Sequence, residues 1–174
     1  MKTKNTQNGF TLIELIVTLA IAAIVLSVGV PTFRGTVANN AMIADANRFV
    51  TSVNLARSSA VKFQRNATIC ASTDWNNAVP TCTGGTDWTE GWIVFVDKDR
   101  DNTVDADEVI AVNEPLNDRA SFSSGAQSSF TYNSRGFIDG GDNLTLCDNR
   151  TGETGRQIRI NGAGRTRVVT QACS

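Results

Sequence analysis

The sequence predicts an α+β fold: one long N-terminal α-helix, a transmembrane half followed by an amphipathic half, packed on an antiparallel β-sheet domain with two disulfides. Three observations carry that expectation. Apolar residues run almost without break from Phe10 to Val30, a length that crosses a bilayer as a helix. After Pro31, apolar residues recur at spacings of three to five as far as Phe63, which is helical periodicity. Beyond Ala67, short β-prone runs alternate with Gly-, Pro- and Asn-containing turns, and all four cysteines lie in that part.

The first nine residues, Met1 to Gly9, form a polar leader with two lysines and no acid. The lysine excess places this end in the cytoplasm. An ordinary secretory signal has its small-residue cleavage site after the apolar run, whereas here the small residue, Gly9, precedes it. Cutting after Gly9 removes the charged tip and leaves the apolar helix on the mature protein. Within the run stands a single acid, Glu14. A charged side chain at the centre of a membrane helix costs about 2.5–3.5 kcal/mol on insertion scales, so a partner is expected. After the cut Glu14 is the fifth residue, close to the new amine of Phe10. An ion pair between Glu14 of one subunit and the Phe10 amine of its neighbour offsets both desolvation costs, and serves register more than net stability.

The motif Gly9-Phe10-Thr11-Leu12-Ile13-Glu14-Leu15 resembles the class III leader junction of type IV pilins and type II secretion pseudopilins. The resemblance implies cleavage by a prepilin peptidase on the cytoplasmic side and N-methylation of Phe10. Glu14 aligns with the family's near-invariant glutamate, and Pro31 falls where many pilins carry a kinking proline. The expected organisation is a cleaved leader at 1–9, a transmembrane and filament-core helix at 10–31, and a periplasmic or extracellular globular domain at 32–174 that includes the second half of the helix.

That second half carries Phe33, Val37, Ala41, Ala46, Phe49, Val53, Ala56, Ala60 and Phe63 as its expected apolar stripe, with polar residues between. With the span it makes one helix from Phe10 to Gln64, about 80 Å long at 1.5 Å per residue. Pro31 removes one hydrogen bond and Gly29 weakens the same turn, so a bend is expected there.

Strands are expected at 67–71, 91–96, 108–112, 129–132 and 143–147. The second of these is apolar throughout and therefore central. A final hairpin joins 157–160 to 165–169 through Asn161-Gly162-Ala163-Gly164. The even cysteine count beyond the span places the domain in an oxidising compartment. Four cysteines allow three pairings. Locality favours Cys70 with Cys82 and Cys147 with Cys173, the latter tying down the C-terminus. A four-thiolate zinc site is the alternative, but its usual CxxC spacing is missing.

The 174 residues carry a net charge of −1. Loss of Lys2 and Lys4 takes this to −3, which argues against a nucleic-acid protein on global charge alone. Histidine is absent, which excludes triads, histidine metal sites and imidazole switching. With no free thiol and no convergent acid pair to name, no enzymatic role is supported.

The segment Ile69-Cys70, Cys82, and Trp88-Thr89-Glu90-Gly91-Trp92-Ile93-Val94-Phe95-Val96-Asp97 is similar to the GspH/FimT group of minor pilins. So is the ending, Leu146-Cys147-Asp148 through Gly164-Arg165-Thr166-Arg167 to Cys173. The resemblance covers essentially the whole chain. It implies a rare subunit at or near the tip of a type IV pilus that helps prime assembly, with twitching motility, adhesion and natural transformation as the processes served. The implied partners are other minor pilins, the major pilin, the prepilin peptidase and the inner-membrane assembly platform. The implied location is a single-pass inner-membrane protein before assembly and the extracellular pilus after it. A minor pseudopilin of a type II secretion system is a competing assignment.

Two segments carry further chemistry. Arg156, Arg159, Arg165 and Arg167 make the C-terminal hairpin basic, and Gly164-Arg165-Thr166-Arg167 matches the GRxR motif of FimT-type pilins that bind DNA. The chemistry implied is nonspecific neutralisation of double-stranded DNA phosphates. Competing readings are edge-strand charges that discourage aggregation and contact with neighbouring minor pilins. The second segment is Asp97 to Glu108. Asp97, Asp99, Asp101, Thr103 (through its carbonyl), Asp105 and Glu108 occupy the ligand positions of a calcium loop. Asn102 stands where that loop has glycine, and a strand precedes it instead of a helix. A solvated acidic turn is the preferred reading, so no cofactor is expected and calcium is the one candidate.

Overall fold

The computed structural model describes residues 10–117, 119–150, 152 and 154–173. Helix α1 runs from Leu12 to Phe63. Its start is a capping box: Thr11 Oγ1 accepts the Glu14 backbone N–H at 3.3 Å, and Glu14 Oε2 accepts the Thr11 N–H at 3.4 Å. Its end is a left-handed Gln64 (φ 53°), after which the Arg65 N–H reaches the Ala60 carbonyl at 3.2 Å, the six-to-one bond of a Schellman stop. Glutamine rather than glycine occupies the left-handed position, and its side chain donates to the Val61 carbonyl at 2.7 Å.

The chain forms two compact units, Met1–Asn40 and Ala41–Ser174. No residue of α1 before Met42 is buried, and the helix runs through Pro31 without interruption.

In the second unit, α1 buries Met42, Ala46, Phe49, Ser52, Val53, Ala56, Ser59 and Ala60. This corrects the expected stripe at its ends, because Phe33, Val37 and Phe63 are exposed. Two serines take their place on the buried face. Ser52 Oγ accepts the indole N–H of Trp92 at 3.0 Å, so the hydroxyl answers a donor that must be buried with its ring.

Among the described residues eight strands follow: β1 Asn66–Ala71, β2 Trp92–Asp97, β3 Val109–Asn113, β4 Ala120–Ser124, β5 Ser129–Tyr132, β6 Asp142–Asp148, β7 Thr154–Ile160 and β8 Thr166–Ala172. They form two four-stranded antiparallel sheets, ordered β3-β2-β1-β5 and β4-β6-β7-β8. The expected antiparallel β-sheet domain is thus built of two sheets. Strand β2 is interior to the first and buried at every residue. Strand β4 escaped the sequence pattern because Phe122 is its only large apolar residue, among serines.

The two sheets and α1 share one core. Phe49 of α1 meets Trp92 of β2 and Trp88 edge-on, both at 5.4 Å, and Phe122 of β4 at 4.9 Å. Such pairs contribute about 0.5–1.5 kcal/mol each beyond area burial. The buried Trp88 indole N–H is satisfied by Ser124 Oγ at 3.2 Å. A satellite cluster of Cys70, Ile93 and Phe95, with Trp75 and Val104 against it, lies on the other face of the first sheet. Cys70 is bonded to Cys82, and Cys147 to Cys173.

Candidate functional site

Three regions carry chemistry, and the first is the start of α1. Phe10 is 89% exposed, and the large apolar side chains from Leu12 to Val30 are exposed with it. Glu14 is the only ionisable side chain from Phe10 to Pro31. The hydroxyls in this part bond back to their own helix: Thr18 to the Leu15 carbonyl at 2.9 Å, Ser27 to Ile24 at 2.8 Å and Thr32 to Val28 at 3.0 Å. Each polar group is thereby satisfied internally, as an apolar solvent demands. Among the described residues α1 is the one helix long and apolar enough to cross a membrane. Gly9, the expected cleavage residue, lies outside the described residues, and Phe10 is the first of them. Pro31 sits inside the helix.

The second region is the β7–β8 hairpin. Strand alternation divides the arginines. Ile158 and Ile160 point into the core, so Arg159 points out, and Arg156 belongs to the face of the isoleucines. Arg156 is half-buried and donates to the Gly155 carbonyl at 3.0 Å. The structure thus gathers Arg159, Arg165 and Arg167 and separates Arg156 from them. Arg159 lies directly opposite Arg167 in the register, a like-charge pair that is unfavourable unless an anion or solvent answers it. Arg165 stands two residues before Arg167 on the same face. Among the described residues no carboxylate is within salt-bridge reach of these three, and Arg159 donates to Gln157 at 2.7 Å.

The hairpin tip has an anchor that the sequence motif hides. Gly164 is left-handed (φ 72°), and a Cβ there would lie 2.5 Å from Tyr132 Cε1. The Tyr132 hydroxyl, on the first sheet, donates to the Gly164 carbonyl at 3.2 Å. The glycine of Gly164-Arg165-Thr166-Arg167 is therefore fixed by packing, whatever the arginines do. Burial, slightly countered by Arg57, pushes the Tyr132 phenol up to about 12.

The third region is the loop from Asp97 to Glu108, between β2 and β3. Carboxylate oxygens of Asp97, Asp99 and Glu108 lie within 4.8 Å of one another, and so do those of Asp99, Asp101 and Asp105. Backbone N–H groups orient them: Arg100 donates to Asp97 at 2.7 Å, and Thr103 to Asp101 at 2.7 Å. The Thr103 donors hold the Asp101 carboxyl below its ordinary range. Lys98 turns to Asp107, with Nζ 2.8 Å from the carboxylate, which lowers the Asp107 carboxyl in turn.

An exposed apolar helix start with one acid, joined to a disulfide-stapled α+β unit, defines a pilin-type subunit. Residues 45–164 match the family model described as Type II transport protein GspH, and residues 4–30 match the prokaryotic N-terminal methylation motif. The chain belongs to the GspH family and carries the N-terminal methylation motif of pilin-like proteins. No curated protein matches its sequence significantly. Among solved structures it is similar to two crystal forms of the type IV minor pilin FimU of Pseudomonas aeruginosa. In one the identity is 19% with a TM-score of 0.56, over 75% of this chain and 96% of that one. In the other the identity is 20% with a TM-score of 0.59, over 78% of this chain and 95% of that one. These likenesses establish the fold, which is the type IV pilin fold. Membership of the family, with its methylation motif and apolar helix, implies assembly with other pilin-like subunits from a membrane-anchored state.

Proposed function

We propose that this chain is a minor pilin incorporated at or near the tip of a type IV pilus, where it helps prime assembly. The observation that carries the reading is the helix start: an exposed apolar surface bearing one carboxylate, Glu14, under a methylation motif. A surface of that kind is stable only in lipid or among like helices. The FimU likeness, a minor pilin by its own description, favours the pilus over the secretion pseudopilus. The test is a deletion strain complemented with the wild-type chain or with Glu14→Val. The wild type should restore surface pili, with immunogold label at fibre ends. Glu14→Val should accumulate in the membrane and be missing from sheared fibres. Normal incorporation of Glu14→Val, or restored protein secretion instead of pili, would refute the reading.

A second reading, a DNA receptor for uptake, is favoured by one observation: the like-charged Arg159 and Arg167 face each other beside Arg165. Three phosphate contacts predict a slope of log affinity on log salt of about −2.7. A band shift of duplex DNA by the purified chain, repeated with Arg165→Ala and Arg167→Ala combined, decides it. Undiminished binding by the double variant clears the hairpin of that role.

A further inference from the structure

Glu108 sits one residue before β3 and is 2% exposed, and Asp97, the last residue of β2, is 3% exposed. One oxygen of Glu108 accepts the Lys98 backbone N–H. The other, Oε2, is buried and has no hydrogen-bond partner. Buried carboxylate oxygens in native proteins meet a donor or a cation, because desolvation without either is costly. What gathers around Glu108 is the opposite of a donor. Oxygens of Asp97 and Asp99 converge on it, and Asp101 and Asp105 continue the cluster through Asp99. The lysine inside the loop does not neutralise it, since Lys98 is engaged with Asp107. Carboxylates brought together with no cation between them repel one another.

The spacing has a physical reading. Oxygens on opposite sides of a calcium ion, each at 2.3–2.6 Å, are about 5 Å apart, and both acidic trios fall within 4.8 Å. We propose that this loop binds one calcium ion through Asp97, Asp99, Asp101, the Thr103 carbonyl, Asp105 and Glu108. Glu108 Oε2 then gains the ion as its missing partner and makes the terminal carboxylate bidentate. Six oxygen-donor positions, one of them bidentate, suit calcium better than magnesium, which demands a tight octahedron and retains waters. Asn102 holds the left-handed conformation (φ 60°) at the position where such loops turn sharply. Val104, two residues on, packs against the Cys70–Ile93–Phe95 cluster. The ion therefore ties the β2–β3 connection to the first sheet. The proposal is independent of the pilus reading.

The test uses the purified full-length chain in detergent micelles, stripped of metal and titrated with calcium chloride in a calorimeter. Thermal unfolding is followed in parallel with chelator, calcium or magnesium. One equivalent should bind with a Kd between about 10 μM and 1 mM. Calcium at about 5 mM should raise the unfolding midpoint by several degrees, and magnesium by clearly less. Asp101→Asn and Asp105→Asn combined change two exposed side chains without touching the core, and should weaken calcium binding at least tenfold and abolish the shift. Glu108→Gln should lose the calcium response while folding in chelator. Should that buried change prevent folding, the exposed pair decides. No heat together with equal midpoints in calcium and chelator, or wild-type binding by the exposed double variant, would overturn the proposal.

Discussion

Replacing Cys147 and Cys173 together by alanine removes the staple that closes the second sheet, and the cost follows from chain geometry. The two cysteines are separated by 26 residues in sequence. Freeing a loop of that length in the unfolded chain weakens the fold by about 3.5 kcal/mol on the chain-entropy relation, against about 2.8 kcal/mol for the 12-residue separation of Cys70 and Cys82. Cys173 directly follows β8, the edge strand of its sheet, so the loss should be expressed locally as well as globally. For a unit of this size it corresponds to a fall in the unfolding midpoint of roughly 10–15 °C. Differential scanning fluorimetry measures the global part, and hydrogen exchange of peptides covering 166–172 measures the local part. A fall of less than about 3 °C, or unchanged exchange in β8, would refute the reasoning that this bond restrains both the unfolded chain and the edge strand.

Three more outcomes are expected. Glu14→Gln keeps the capping-box geometry, since glutamine serves at that helix position, yet loses the charge. It should leave membrane levels unchanged and abolish filament entry in sheared-fibre immunoblots, whereas equal incorporation of Glu14→Gln would show that capping alone is needed. Tyr132 titrates near 10 when unfolded and is pushed up to about 12 when folded. Its contribution is thus complete below pH 10 and lost as pH rises through 12, by at most about 3 kcal/mol. Tyr132→Phe should flatten urea-measured stability between those limits at the loss of one hydrogen bond, about 1 kcal/mol. Gly164→Ala forces a side chain into a left-handed turn against Tyr132 and should lower the unfolding midpoint by several degrees, while a wild-type midpoint would show that the turn adapts.

Most elements were legible because their signals are local. The apolar run, the helical stripe and the β-branched run of β2 are read within a dozen residues, and both disulfides join near neighbours in sequence. What failed was non-local or parity-dependent. The division of the strands into two sheets depends on which strands pair, and no strand announces its partner. Strand β4 hides in serines. Arg156 and Arg159 look alike in composition, yet an odd spacing sends them to opposite faces. The capping role of Glu14 was present as Thr11-x-x-Glu14, a readable signal overshadowed by the cost of a charge in lipid. The burial of Glu108 had no sequence signal, since an acid beside a turn ordinarily faces water.

The capping box changes how Glu14 can act. In the single chain its carboxylate already accepts the Thr11 N–H, so part of its desolvation cost is answered before any neighbour arrives. Docking onto a neighbour's terminal amine then exchanges one partner for another, and the gain is a difference rather than a whole ion pair. Such an exchange adds little to the strength with which helices adhere, which the exposed apolar side chains supply through packing. It does discriminate position, because a helix offset by one turn meets apolar side chains where the amine should be and leaves its carboxylate on the helix cap. On the proposed docking the carboxylate would set register and packing would set affinity. That division would account for one acid in a segment whose every other demand is apolar.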